Sequence, residues 1–104
     1  MKLEHIFFCD CVCFDIVELN YYKKYNKGYR FILVIQDIYS RRIFLRALQN
    51  KIAAETLKII KNVEKEFLDK GYKIHNIIAD FGKEFNNKLF LNHFENIKDK
   101  IKYS

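Results

Sequence analysis

The sequence predicts an α/β fold with a mixed sheet, its elements in the order β-β-β-α-β-α-β, within a single domain spanning residues 1–104. Three observations lead there. Runs rich in β-branched and aromatic residues, around Phe14, Ile32 and Phe44, follow one another over short links. The apolar period then lengthens to helical spacing at Ala53, Leu57, Ile60, Val63 and Phe67. A further short apolar run, Ile74 with Ile77 and Ile78, comes after that helix, and a helical crossover returns a strand parallel to one already in the sheet.

The first strand is expected over residues 8–19. Within it Cys9, Cys11 and Cys13 alternate, so they share one face with Asp15. They read as small buried hydrophobes, because no Cys-x-x-Cys spacing is present and His5, His75 and His93 complete no zinc pattern. Residues 20–28 form a polar, basic connection ending on the turn signal Asn26-Lys27-Gly28. Residues 29–39 give a second strand, so nearly continuous in apolar side chains (Phe31-Ile32-Leu33-Val34-Ile35) that both its faces are expected to be covered. Ser40-Arg41-Arg42 then turns the chain into a third strand over 43–48, completing an antiparallel meander. The helix runs over 51–70, and Gly71 stands where a C-terminal cap favours glycine. A fourth strand over 73–79 ends at Asp80, a second helix covers 87–97, and 100–103 begins a fifth strand.

A chain of 104 residues supports one modest core. Half of its residues are hydrophobic and 16% are aromatic, which excludes a disordered tail. The net charge of +6 suits a partner with a phosphate backbone, although a Lys- and Asn-rich composition from an AT-rich genome yields the same surplus. No apolar stretch reaches the length of a membrane span, and Met1-Lys2-Leu3-Glu4-His5 lacks the start of a secretory signal. The expectation is an intracellular protein with no membrane partner.

Two carboxylates interrupt apolar strands: Asp15 in Cys13-Phe14-Asp15-Ile16-Val17, and Asp80 at the end of Ile77-Ile78-Ala79-Asp80. A carboxylate in such a run is costly to bury. If the fourth strand lies beside the first, the pair meets at the carboxyl end of a strand, where α/β sheets place ligands. At about 4 Å they would repel by roughly 4 kcal/mol in an effective dielectric near 20. A divalent cation turns that repulsion into binding, and oxygen-only ligation suits Mg²⁺ or Mn²⁺. Glu84 is the nearest spare carboxylate, Glu95 and Asp99 lie further on, and Asp37 reads as a turn-former. Candidate phosphate contacts are Lys23, Lys24 and Lys27 in the aromatic-basic connection, with Arg41, Arg42, Lys51 and Lys83 elsewhere.

Taken in order, five blocks resemble the catalytic core of retroviral-type integrases, above all those of Polinton-like and gypsy-like mobile elements. They are Phe14-Asp15-Ile16-Val17-Glu18-Leu19, Asn26-Lys27-Gly28-Tyr29-Arg30-Phe31-Ile32-Leu33, Asp37-Ile38-Tyr39-Ser40-Arg41, Leu48-Gln49-Asn50-Lys51 and Asp80-Phe81-Gly82-Lys83-Glu84-Phe85. The resemblance spans about residues 12–104. It implies a ribonuclease-H-like fold, truncated at its carboxyl end, and an acidic triad of which Asp15 is the first member and Asp80 the second. It further implies a two-metal Mg²⁺ or Mn²⁺ site for in-line displacement at phosphorus. Element ends and target DNA would be the partners, with a homo-oligomer and, in a eukaryotic host, a nuclear location as further expectations. The third member, a glutamate, falls past Ser104 by family spacing, so the resemblance implies a fragment that is not catalytic alone. Val12 stands where the family often has tryptophan, and Phe81 replaces a small polar or basic residue, a departure that by the resemblance implies a substrate path narrowed or blocked. Two other readings stand beside this one: a non-catalytic nucleic-acid-binding remnant, and an interaction module whose incomplete sheet exposes edges and apolar surface.

Overall fold

The computed structural model describes residues 10–19 and 28–104. Five strands, β1 (Cys11–Glu18), β2 (Phe31–Asp37), β3 (Ile43–Leu48), β4 (Asn76–Ala79) and β5 (Ile101–Tyr103), form one sheet in the order β3-β2-β1-β4-β5. Pairing is antiparallel between β1 and β2 and between β2 and β3, and parallel between β1 and β4 and between β4 and β5. The fold is thus α/β with a mixed sheet, and the meander and the parallel return of the fourth strand follow the order expected from sequence.

Helix α1 (Ala53–Asp69) buries Thr56, Leu57, Ile60, Val63 and Phe67, the stripe its spacing foretells. It ends as Gly71 suggests. Gly71 takes φ 85°, its N–H donates to Leu68 O and the Tyr72 N–H to Phe67 O, both at 2.9 Å, which is a Schellman closure. Helix α2 (Lys88–His93) starts on Asn87, whose side chain accepts from the Phe90 N–H at 2.9 Å. No helix among the described residues is long and apolar enough to cross a membrane.

Both helices pack on one face of the sheet. Val12 and Phe14 from β1, Leu33 and Ile35 from β2, and Ile77 and Ala79 from β4 all point there and are almost wholly buried. At the β4 side of this core the rings of Phe14, Phe85, Phe90 and Phe94 cluster with centroids 5.0–6.2 Å apart.

The other face has no helix over it among the described residues, and this corrects two expectations. Strand β2 alternates buried and half-buried residues instead of being covered on both sides. Cys11 and Cys13 are half-buried rather than core, because their parity puts them on this open face; Cys9 lies outside the described residues. Burial still pushes both thiols above their ordinary pKa, with Asp10 adding to the effect at Cys11 and Asp15 at Cys13. Element ends differ too. Ile74 joins the core, yet only residues from Asn76 onward pair with β1. The second helix stops at His93 and a 3-10 segment, Glu95–Lys100, follows it.

Phe14 touches three other rings and sits beside Asp15, so Phe14→Ala should cost about 3–5 kcal/mol. Urea unfolding measures this, as a lower midpoint with an unchanged slope.

Candidate functional site

The parallel register pairs Phe14 with Ala79, so the next residues on each strand, Asp15 and Asp80, come side by side. Both are exposed, and they line a cleft of about 120 Å³ together with Cys13, Phe14, Ile78, Ala79 and Ser104. Asp15 Oδ1 accepts from the Ile16 N–H at 2.8 Å, which helps to orient the carboxylate. Ser104 is drawn in by its N–H, which donates to Ala79 O at 3.0 Å.

The loop after Asp80 is held at several points. Gly82 O accepts from the Phe85 and Asn86 N–H groups, and Phe85 is buried against Phe14. Asn87 donates to the carbonyls of Lys83 and Glu84, joining the loop to α2. Tyr103 donates its hydroxyl to Phe85 O at 2.8 Å, and burial raises its pKa. The ring of Phe81 stacks on that of Tyr103, with centroids 5.7 Å apart.

Glu84 is turned away from the carboxylate pair. Its carboxylate occupies the space that a β carbon on Gly82 would need and pairs with Lys51 Nζ at 3.5 Å. Lys51 also lies over the Phe31 ring at 5.4 Å. This explains a glycine that positive φ does not require.

The other candidates divide by position. Lys51 and Lys83 flank the loop that follows Asp80, and Lys83 is exposed. Arg41 and Arg42 sit in the β2–β3 turn, beyond Asp37, which pairs with Val12 near the opposite end of β1 from Asp15's side. In that turn Asp37 is buried and its Oδ2 accepts from the Ser40 N–H at 3.2 Å, the role expected of it. Glu95 and Asp99 lie in the 3-10 segment, where Glu95 pairs with Lys98. Lys23, Lys24 and Lys27 fall outside the described residues. Among those described, no three His, Cys, Asp or Glu side chains gather where they would hold a metal ion. Tyr103 and Asn87 escape a sequence reading: the alternation of Ile101 and Tyr103 signals a strand, but nothing local shows that the tyrosine reaches Phe85.

Asp15, in the middle of β1, and Asp80, just past the carboxyl end of β4, thus line one exposed cleft between neighbouring parallel strands. No protein-family model matches the chain. Over 66 residues it is 44% identical to a Caenorhabditis elegans protein named as transposon-derived. The match covers 64% of this chain and 22% of that protein, so the chain spans about a fifth of its relative's length.

Gly82→Ala should displace the Glu84 carboxylate and loosen its pair with Lys51, at a cost of up to about 1 kcal/mol. In a Glu84→Ala background the same substitution should cost close to nothing, which a double-mutant cycle in urea would read directly.

Proposed function

We propose that this chain is part of a mobile-element integrase core of ribonuclease-H-like fold, which handles DNA at the Asp15–Asp80 cleft with Mg²⁺ or Mn²⁺. The observation that carries the reading is the parallel pairing of β1 with β4, which sets the two carboxylates side by side. The strand order β3-β2-β1-β4-β5, with β2 alone running against the other members of its neighbourhood, is the arrangement such a fold calls for. Similarity to a transposon-derived protein supports a mobile-element origin.

The residues present fit a hard cation. Mg²⁺ is commonly held by one or two carboxylates, with water and substrate phosphate filling its remaining positions. Asp15 and Asp80 supply that number. When bound, such cations activate the attacking oxygen and stabilise the leaving one during in-line displacement at phosphorus. The chain's own part is positional. Phe14 and Phe85 brace the two acidic segments against each other, and the Ile16 N–H orients Asp15. The surplus of six positive charges draws the DNA backbone toward the protein, and Lys83 offers an exposed ammonium near the cleft.

Titrating Mn²⁺ into the wild-type chain should give a weak binding isotherm that Asp15→Asn and Asp80→Asn each weaken at least about tenfold, or about 1.4 kcal/mol. Equal binding in all three proteins would sink the reading.

The open sheet face favours a second reading, a module that associates with a second copy of itself. Val17, Ile43 and Leu45 are all exposed there. Sedimentation should then show a dimer that Leu45→Glu dissolves; a monomer at high concentration speaks against it.

A further inference from the structure

We infer that Phe81 is a stacking platform for an unpaired nucleobase at the DNA end handled in the Asp15–Asp80 cleft. This rests on the cleft being a DNA site, and not on its holding a metal. Phe81 follows Asp80 directly and is 63% exposed, the highest value among the exposed large hydrophobic side chains of the described residues. An isolated exposed phenylalanine would rotate freely, but this one is backed. Its ring lies 5.7 Å from that of Tyr103 with only 24° between their planes. Tyr103 is itself pinned, because its hydroxyl donates to the carbonyl of Phe85, which is buried in the aromatic cluster. The backing therefore runs from the core through Tyr103 to Phe81, and among the described residues no further ring lies against Phe81.

The position matches the chemistry. Asp80 precedes Phe81 and Ser104 follows Tyr103, and both Asp80 and Ser104 line the cleft. The ring pair thus sits one residue along the chain from the cleft lining on both segments, at the rim and not in the lining itself. A phenyl ring offers a phosphate nothing, since it carries no donor, but it offers a base one flat apolar face. Inside a duplex the base faces are already stacked on one another. An exposed ring beside the cleft can accept only a terminal or unpaired base, a cost in unpairing that is least at a strand end. Lys83, two residues on and exposed, can meet the phosphate attached to that base.

The test uses the whole 104-residue chain and a short single-stranded oligonucleotide carrying 2-aminopurine at its 3′ end. Stacking quenches this base. Wild type and Phe81→Tyr should quench it. Phe81→Leu, at an exposed site that folding does not depend on, should not, and should bind the strand roughly tenfold more weakly, the order expected for one stacked base. Affinity for a covalently closed circular duplex, which offers no strand end, should stay the same in all three proteins. Equal quenching in Phe81→Leu, or none in wild type, would overturn the inference. Mn²⁺ titrations run in parallel keep the two readings apart. A wild-type chain that quenches without binding Mn²⁺ removes the metal and leaves the platform; one that binds Mn²⁺ without quenching does the reverse.

Discussion

The near-parallel stacking of Phe14 on Phe85, at 6.0 Å and 17°, joins two segments that are distant in sequence and adjacent at the site. Phe14 is the residue before Asp15, and Phe85 closes the loop that Asp80 opens. Strand alternation turns Phe14 into the core and so turns Asp15 to the open face. The loop bonds from Gly82 O and the Asn87 side chain then hold Phe85 where the stack requires it. Ladder hydrogen bonds between β1 and β4 set the register, but β4 has only four residues and ends just before Asp80. Beyond that end, packing positions the second aspartate. The same stack supports Tyr103 through Phe85 O, and Tyr103 supports Phe81.

Charge is distributed less simply than a surplus of six suggests. Several cations are already engaged: Arg46 with Glu66 at 2.8 Å, Lys51 with Glu84, and Lys98 with Glu95. The Arg46 and Lys98 pairs are exposed enough to contribute little to stability, whereas Glu84 in the Lys51 pair is largely covered. Arg41 and Arg42 stand in the turn beyond β2, so a strand of DNA reaching both them and the carboxylates would have to cross the sheet face between. A shorter contact runs along the loop from Asp80 to Lys83. Net charge therefore speaks to long-range attraction, while the local arrangement decides where a phosphate comes to rest.

Much of this was legible in the sequence, for definite reasons. Period two and period 3.6 separate cleanly here, so the order of strands and helices follows from pattern alone. Gly71 announced the end of α1 because its left-handed backbone angle suits glycine. The meeting of Asp15 with Asp80 followed from topology: a helix between the meander and β4 demands a parallel return. What escaped depended on distant surroundings. A continuous apolar run such as Phe31–Ile35 signals cover on two faces, yet only one receives a helix among the described residues, so the cysteines of β1 remain half-exposed. The second helix ended early because Phe90, Phe94 and Ile97 keep one core-facing side whether the backbone continues as an α-helix or breaks after His93. Periodicity cannot separate those cases. Glu84 shows the same limit in side-chain form, since its partner Lys51 lies more than thirty residues away in sequence and across the sheet.

Openness on one face also governs what the two carboxylates can do. Side by side in water, two such charges at about 4 Å repel by only about 1 kcal/mol, against roughly 4 kcal/mol at an effective dielectric of 20. Asp15 and Asp80 are exposed, so their adjacency is cheap. The cation affinity proposed for this site would be correspondingly modest. Anything that covers the face bearing Cys13, Val34 and Leu45 removes water from beside Asp15, because Asp15 pairs with Val34 and Val34 with Leu45 along one row of the sheet. The repulsion then rises toward the larger figure, and so does the gain from placing a divalent charge between the carboxylates. If the proposed cation binds at the edge of that face, covering the face and binding the cation would be coupled, each strengthening the other by the same free energy.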